Sequence, residues 1–482
     1  MMREVLALLI PAAAIGVFLL PRPARWGRAL VSAATLSICL GIGFSSLTSL
    51  ALIVVGIAPT MRSFLVADIA IWASVAVLGW WATERRTQSR EPSAESREPQ
   101  AESPEPSVEP KAQSPAPKAE SPVDWIVPAV FGVAAMIALA AGVTSSLAAP
   151  HGDWDAWAIW NQHARFLFRG SESDAWRAFF AINWSQPDYP LLLPASVARV
   201  WAYAGHESTL GPTLIAMVFG TASVALVITA LDGRRAWIAG ALILVASTFL
   251  IQVPSQCADV PLACFIVATL AVACGDVLRI PDPGSRIPAV VAGATSAMAA
   301  WTKNEGLVFA LLMLLVAVIV AVRRRDGRQL LWSIAGAAPV LIAIVWFKLS
   351  LAPSSGLVEG QSLDLLTTRF MDLHRHGTVA VLMIQHMIRW SAPHAVAIFP
   401  LLGVAAIWMA IRSGGAVRLM TALLGLMLAS YYLVYVTTPF DISWHLSTSV
   451  DRLLVQLWPA LVLTVFLGLQ SSVSSPPGLS RS

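Results

Sequence analysis

The run GLVFALLMLLVAVIVAVRRR occupies residues 306–325 and combines the two signals that decide the fold. Its first part, residues 306–322, contains no charged side chain and is close to the roughly 20 residues that a helix needs to cross a hydrocarbon core. A segment in lipid must be helical or part of a closed barrel, because its backbone hydrogen bonds have no water to accept them. The three arginines that follow are typical of a cytoplasmic loop.

Similar apolar blocks recur along the 482 residues, of which 57% are hydrophobic and only 12% charged. A soluble domain carries roughly 25% charged residues. We therefore predict an all-α polytopic membrane protein with about 13 transmembrane helices. The predicted spans are 3–20, 29–56, 63–82, 124–148, 208–230, 236–252, 259–278, 288–302, 306–322, 329–350, 391–411, 416–437 and 451–469. The net charge is only +4 and the basic residues lie between spans, so nucleic acid is excluded as a partner.

The arginines of the short loops fall on one side when the spans alternate, which predicts an outside N-terminus and a cytoplasmic C-terminus. They are Arg22, Arg25, Arg28, Arg85, Arg86, Arg90, Arg234, Arg235, Arg279, Arg286, Arg323, Arg324, Arg325, Arg328, Arg412 and Arg418. The segments predicted outside are 149–207, 253–258, 303–305, 351–390 and 438–450. The two long ones are predicted to contain amphipathic helices on the membrane surface. Few cysteines and many Ala, Arg and Trp residues indicate a bacterial inner membrane.

The chain divides into four parts by composition. Residues 1–82 hold three N-terminal spans, and residues 123–470 hold the other ten with the polar motifs. Between them, residues 83–122 contain eight prolines and fourteen charged residues, which predicts a disordered cytoplasmic linker. Residues 471–482 are predicted to be a short cytoplasmic tail.

The densest polar cluster follows the fourth span and reads HGDWDAW over residues 151–157. A helix over 155–169 would place Asp155, Gln162 and Arg169 on one face, because they lie seven residues apart. Carboxylates at the start of a helix suit its dipole, and either Asp153 or Asp155 is open to interpretation as a simple helix cap.

Further ionisable groups lie in the predicted outer segments or at the starts of predicted spans. They are Asp188 in a turn between two prolines, Asp259, Lys303 with Glu305, His445, and Arg452 beside Asp451. An ion at the start of a span costs free energy unless it is paired or functional. Structural roles remain open: an N-cap for Asp259, headgroup contact or pairing with Glu305 for Lys303, and pairing for Arg452.

Taken in order, these segments resemble the GT-C superfamily of membrane glycosyltransferases, in the branch of protein O-mannosyltransferases and aminoarabinose transferases. The resemblance covers residues 124–469. The segments that carry it are Asp153-Trp154-Asp155, the turn Gln186-Pro187-Asp188-Tyr189, Ala258-Asp259-Val260-Pro261-Leu262, Thr302-Lys303, and Arg452 ahead of Pro459.

The resemblance implies transfer of a sugar from a polyprenyl-phosphate donor to an acceptor hydroxyl on the extracytoplasmic face, with inversion at C1. The acceptor is a glycan, a lipid or a protein. A carboxylate acts as general base, and the implied base is Asp155, with Asp153 in reserve. Cations stabilise the leaving phosphate, and Lys303, Arg452 and Arg169 are the candidates. Asp259 or Asp188 would hold the sugar or a metal; some relatives bind a divalent metal, and the sequence leaves metal dependence open.

The chain departs from the family pattern at two motifs. The branch commonly has Asp-Glu where this chain has Asp153-Trp154-Asp155, and its His-Pro-Pro turn is Gln186-Pro187-Asp188 here. Two other functions stay open: a transporter or flippase of an envelope or lipid-linked substrate, and a non-catalytic subunit of glycan assembly. A transporter fold commonly shows internal repeats and broken helices at mid-membrane, whereas this chain shows no convincing repeat and its polar residues concentrate in the predicted outer loops.

Overall fold

The structure is a computed structural model that describes residues 1–19, 27–88, 125–170, 174–275, 277–278, 285–357, 360–391 and 397–474. These residues form eighteen α-helices and no strand, which confirms the all-helical class. Short π-helical and 3₁₀ turns connect some of them. In chain order the helices are α1 (Met2–Leu19), α2 (Arg28–Val54), α3 (Met61–Gln88), α4 (Ile126–Ala148), α5 (Asn161–Arg169), α6 (Leu192–Ala204), α7 (Leu210–Ala230), α8 (Gly233–Val245), α9 (Ser247–Gln252), α10 (Asp259–Cys274), α11 (Ile287–Thr302), α12 (Asn304–Arg324), α13 (Arg328–Ser350), α14 (Leu363–Met371), α15 (Leu373–Arg389), α16 (Ile398–Arg412), α17 (Gly415–Thr437) and α18 (Ile442–Ser474).

Nine of the helices in the described residues are long and apolar enough to cross a membrane: α1, α2, α3, α4, α7, α12, α13, α17 and α18. Three shorter apolar helices, α10, α11 and α16, coincide with further predicted spans. The remaining predicted span, 236–252, is divided into α8 and α9 by extended backbone at Ala246. The chain is therefore a multi-pass membrane protein, and the number thirteen stays a prediction.

The boundaries of the predicted linker and tail are only partly within the described residues. Helix α3 continues to Gln88, so residues 83–88 are helical and the linker prediction does not hold for them. Residues 89–124 lie outside the described residues, as do residues 475–482 of the predicted tail. Helix α18 extends to Ser474, a few residues beyond the predicted last span.

The three N-terminal helices share one hydrophobic core with the later helices. Asp68 of α3 and Arg199 of α6 form a bidentate ion pair with N–O distances of 2.8 and 2.6 Å, and both side chains are buried. Trp301 of α11 donates to Ser46 of α2 at 3.0 Å. The N-terminal helices are therefore integral to the packing of this fold.

The segments predicted to lie outside contact one another at one end of the helices. The backbone N–H of Asp153 donates to the carbonyl of Ser255 at 3.0 Å, and Arg375 donates to the carbonyls of Val436 and Thr438, each at 2.5 Å. At the other end, Arg28 pairs with Asp232 at 2.7 Å. This grouping agrees with the alternation of spans from which the two sets of loops were derived.

Candidate functional site

Asp155 lies at the start of a helical segment that changes type within its first turn. The predicted helix over 155–169 is present, but residues 156–160 are π-helical before α5 begins. A π turn has more residues than an α turn, which shifts the phase of all that follows, and such turns are frequent at functional sites. Asp155 and Arg169 meet different partners in the structure, Arg452 for Asp155 and Glu207 for Arg169.

Asp259 is the first residue of α10, and its carboxylate is completely buried. It accepts hydrogen bonds from Lys303 Nζ at 2.9 Å and from Arg452 Nε at 3.1 Å. Gln456 Nε2 donates a third hydrogen bond at 2.6 Å. A buried carboxylate is tolerated only when it is paired and hydrogen-bonded, and these three contacts supply both conditions.

Arg452 connects this buried carboxylate to a second one near the surface. Its Nη2 lies 2.6 Å from Asp155 Oδ2, while its Nε faces Asp259. The side chains of Arg452 and Asp155 are 22% and 20% exposed, whereas Asp259 is 0% exposed. The group therefore has a closed inner side at Asp259 and an accessible edge at Asp155 and Arg452.

Lys303 joins the end of α11 to the start of α12 through a single residue of extended backbone. Its buried ammonium contacts Asp259 at 2.9 Å and Glu305 at 3.0 Å. Burial by itself would lower the pKa of Lys303, but the charges of Asp259 and Glu305 raise it well above the ordinary value. We call Asp155, Asp259, Lys303, Glu305 and Arg452 the ionic cluster.

A second polar group lies beside the ionic cluster. The amide of Asn304 donates to the buried carboxylate of Asp188 at 2.7 Å. Lys348, near the end of α13, donates to the Asp188 carbonyl at 2.6 Å and to Asn304 Oδ1 at 2.8 Å. These three residues line a cavity of about 480 Å³.

Tyr189 occupies the space between the two polar groups. Its ring stacks on Trp160 with a centroid distance of 5.3 Å, and Lys303 Nζ lies 5.7 Å from its centroid. Burial and the nearby Glu305 carboxylate raise the pKa of the phenol, so it stays protonated at neutral pH. The turn 186–190 thus places an aromatic wall against the buried ammonium.

The structure brings together Asp155, Asp259, Lys303, Glu305 and Arg452 and places Asp188 next to them. Three other predicted site residues lie apart. Arg169 is 66% exposed and pairs with Glu207, and Asp153 is exposed and accepts from the backbone N–H of Trp154. His445 contacts Thr438 at 2.9 Å and packs on Tyr435.

Sequence reasoning missed Gln456, Asn304 and Lys348. Gln456 follows Arg452 by four residues on one helix, and that spacing puts both side chains on the same face. Its Oε1 also accepts from the buried Tyr431 hydroxyl at 2.7 Å. Lys348 was the one cation inside the predicted span 329–350, which is itself a signal of function.

The carboxylates of the site are held by cations and amides. Within the described ranges, no group of three or more His, Cys, Asp or Glu side chains is close enough to hold a metal ion. The donor set around Asp259 consists of an ammonium, a guanidinium and an amide N–H, all of which are hydrogen-bond donors. Asp259 in this arrangement serves to fix the two cations.

The chain was also compared with known proteins. No protein-family model, curated protein or solved structure matches it.

Proposed function

We propose that this protein is a membrane glycosyltransferase that moves a sugar from a polyprenyl-phosphate donor to an acceptor hydroxyl on the extracytoplasmic face, with inversion at C1. The observation that carries the proposal is the ionic cluster, which assembles side chains from four distant segments of the chain. Asp155, Asp259, Lys303 and Arg452 are also the residues on which the resemblance to GT-C enzymes rests. The charge distribution of the loops supports the extracytoplasmic face.

The energetics of the cluster favour a functional role over a purely structural one. Charged groups near apolar spans are expensive, and replacing a buried ion pair by apolar side chains is often neutral or stabilising. A cluster of five charges is therefore a poor way to hold helices together. It is a good way to hold a carboxylate and a guanidinium in fixed positions at an accessible edge.

The accessible edge fits the two tasks of a single displacement. Asp155 takes the proton of the acceptor hydroxyl, and that oxygen forms a bond to C1 of the sugar. The bond between C1 and the phosphate oxygen breaks, and its electron pair leaves with the phosphate. Arg452, which is partly exposed at this edge, stabilises the departing negative charge with its guanidinium.

The inner residues act by positioning in this proposal. Asp259 accepts a hydrogen bond from Nε of Arg452. This contact fixes the orientation of the guanidinium, because its N–H donors form a rigid planar group. Lys303 is only 4% exposed and is occupied by Asp259 and Glu305. It therefore maintains the charge balance around Asp259, and direct contact with the phosphate falls to Arg452.

The test uses membranes that contain the native protein or a variant at matched expression, supplied with radiolabelled polyprenyl-phosphate sugars. We expect label transfer by the native protein and a fall of about 10²–10⁴-fold for Asp155→Asn, the range typical of losing a general base. Asp153→Asn is the matched control, because it changes the same residue type two positions away and outside the cluster. Lys303→Ala is expected to lose transfer through disorder of Arg452.

The outcomes separate the alternatives. If Asp155→Asn and Asp153→Asn both retain transfer, the assignment of the base is wrong. If Asp153→Asn alone loses transfer, the base is Asp153. If the native protein transfers from no donor, the proposal fails, and uptake of labelled lipid-linked sugar into vesicles then tests a transporter.

A further inference from the structure

Three exposed tryptophans lie together on the two segments beside Asp155. Trp154, Trp157 and Trp184 are 51%, 45% and 56% exposed, although tryptophan is usually buried over most of its surface. The ring centroids of Trp154 and Trp157 are 5.8 Å apart, and those of Trp154 and Trp184 are 6.3 Å apart. A contiguous group of large exposed apolar side chains commonly marks a binding surface. We call these three residues the tryptophan patch.

The tryptophan patch is held in place by the buried parts of the same segments. Ser185 follows Trp184 and is completely buried, and its hydroxyl donates to the carbonyl of Ala158 at 2.9 Å. The loop ahead of the patch is fixed by the hydrogen bond from the backbone N–H of Asp153 to the carbonyl of Ser255. The rings are therefore positioned before a ligand arrives, which reduces the entropy that binding costs.

Polar side chains alternate with the rings of the patch. The exposed Asp153 precedes Trp154, and its Oδ1 accepts the backbone N–H of Trp154 at 2.7 Å. Asn183, also exposed, precedes Trp184. An exposed carboxylate next to a ring opposes insertion of that ring into a bilayer, because the anion would lose its hydration. A ligand that offers both apolar faces and hydrogen-bonding groups suits this surface better.

The rings of the patch are inclined to one another. The interplanar angle is 70° between Trp154 and Trp157 and 49° between Trp154 and Trp184. Inclined rings present their faces in different directions, so a ligand with several small apolar faces is contacted by more than one ring. A saccharide has this character: its C–H groups pack on the negative face of an aromatic ring, and its hydroxyls hydrogen-bond to carboxylates and amides.

We propose that the tryptophan patch is the acceptor subsite and that the acceptor is a glycan, one sugar unit of which stacks on Trp154 and directs a hydroxyl to Asp155. Asp155 lies between Trp154 and Trp157 in the chain and forms the accessible edge of the ionic cluster. In the transfer, the oxygen of that hydroxyl bonds to C1 of the donor sugar and its proton passes to Asp155. The phosphate leaves with the electron pair of the broken bond, and the product is a glycan longer by one sugar.

This inference rests on the proposed function, because it takes Asp155 as the base, but it is tested by binding without turnover. Label transfer in membranes combined with no saccharide binding at the patch overturns the glycan acceptor and leaves glycosyl transfer to a lipid or a protein. Saccharide binding at the patch without transfer from any donor leaves the patch as a saccharide site and overturns the proposed function.

The experiment is fluorine NMR of the full chain labelled with fluorotryptophan, in micelles of lauryldimethylamine oxide, a detergent without a sugar headgroup. The resonances of the patch are assigned by their loss in Trp154→Phe, Trp157→Phe and Trp184→Phe. The resonance of Trp408, an exposed tryptophan that packs on Arg412 of α16, is assigned in the same way and serves as the control.

Two kinds of probe are added to the labelled protein. Maltopentaose, chitopentaose and a mannose pentasaccharide are titrated separately and test a glycan. Doxyl stearate, whose spin label lies in the micelle, broadens the resonances of rings that are inserted into it and therefore tests a lipid surface.

We expect at least one of the saccharides to shift the resonances of the patch and to leave that of Trp408 in place. Trp154→Ala should weaken this binding by about tenfold, the effect of one lost aromatic contact, while the other fluorine resonances report that the variant is folded. Absence of a shift with all three saccharides overturns the proposal, as does equal binding by the native protein and Trp154→Ala. Broadening of the patch by doxyl stearate without a saccharide shift assigns the rings to the membrane surface instead.

Discussion

The buried ion pair between Asp68 of α3 and Arg199 of α6 allows a measurement of how much the packing of an N-terminal helix contributes to the stability of the fold. Four donors converge on Asp68: Nη1 and Nη2 of Arg199, the Trp72 indole N–H at 3.1 Å and the Tyr203 hydroxyl. Arg199 also donates to the carbonyl of Ala7 at 3.2 Å. All these side chains are buried, so the pair has no access to water. The perturbation is Asp68→Leu, which keeps the approximate size and removes the charge.

The expected cost follows from the state of Arg199 after the substitution. Removing one partner of a buried pair leaves an uncompensated charge and costs about 3–5 kcal/mol. The double variant Asp68→Leu with Arg199→Met removes both charges. It still leaves the Tyr203 hydroxyl and the Trp72 N–H without their acceptor, at about 1–3 kcal/mol each. We therefore expect the second substitution to recover at least about 1 kcal/mol without restoring native stability.

The assay is unfolding of the full chain in maltoside micelles by increasing dodecyl sulfate, with the free energy of unfolding compared between variants. Asp364→Leu serves as the control, because this exposed acid in the first turn of α14 is worth less than about 1 kcal/mol. The reasoning is refuted if Asp68→Leu costs less than about 1 kcal/mol, or if the double variant is less stable than the single one.

Three further predictions test other parts of the structure. Gln456→Leu removes a donor to Asp259 and an acceptor for Tyr431, so the same unfolding assay should show a loss of about 1–3 kcal/mol per unsatisfied group, and an unchanged value would contradict the described hydrogen bonds. Burial lowers the pKa of His163 from its ordinary value of about 6.5 to about 3, so the unfolded chain binds more protons than the folded chain between these two values. The free energy of unfolding should therefore fall as the pH falls from about 6.5 to about 3. His163→Phe should remove this contribution to the pH dependence. Burial alone would raise the pKa of Glu207, but the ion pairs with Arg169 and Arg165 lower it. The ionised Glu207 therefore stabilises the fold above the ordinary carboxyl pKa, and this stabilisation is lost as the pH falls through the lowered pKa. Glu207→Gln should cost less than about 1 kcal/mol of unfolding free energy at neutral pH, and this cost should shrink with added salt.

Hydropathy was sufficient for the helices that face lipid. The predicted spans 329–350 and 416–437 differ by one residue at their starts from Arg328–Ser350 and Gly415–Thr437. Each is a long apolar block that follows arginines or glycines and carries one charged residue near an end, Lys348 in the first and Arg418 in the second. Its hydropathy was therefore enough to locate the helix. Helix α6 was not predicted, because its thirteen residues are short for a span and include Arg199. Its apolar side chains are buried against the three N-terminal helices. Hydropathy alone does not distinguish such a short buried helix from part of a membrane span.

The site was predictable as a set of positions but not as a set of contacts. Asp155, Asp259, Lys303 and Arg452 were identified because charges at span ends are costly wherever they pair. Which cation meets Asp155 depends on tertiary packing: Arg452 does so from the last helix, whereas Arg169, on the same surface segment, pairs with Glu207. Both contacts join residues far apart in the sequence, so residue spacing could not predict them, and the π-helical turn after Asp155 was not predicted either.

The balance of charge at the site bears on the roles proposed for it. The ionic cluster contains three carboxylates and two cations, which gives a formal charge of −1. Such a group is better suited to accept a proton than to hold an anion, which favours Asp155 as a base and limits phosphate contact to the exposed side of Arg452.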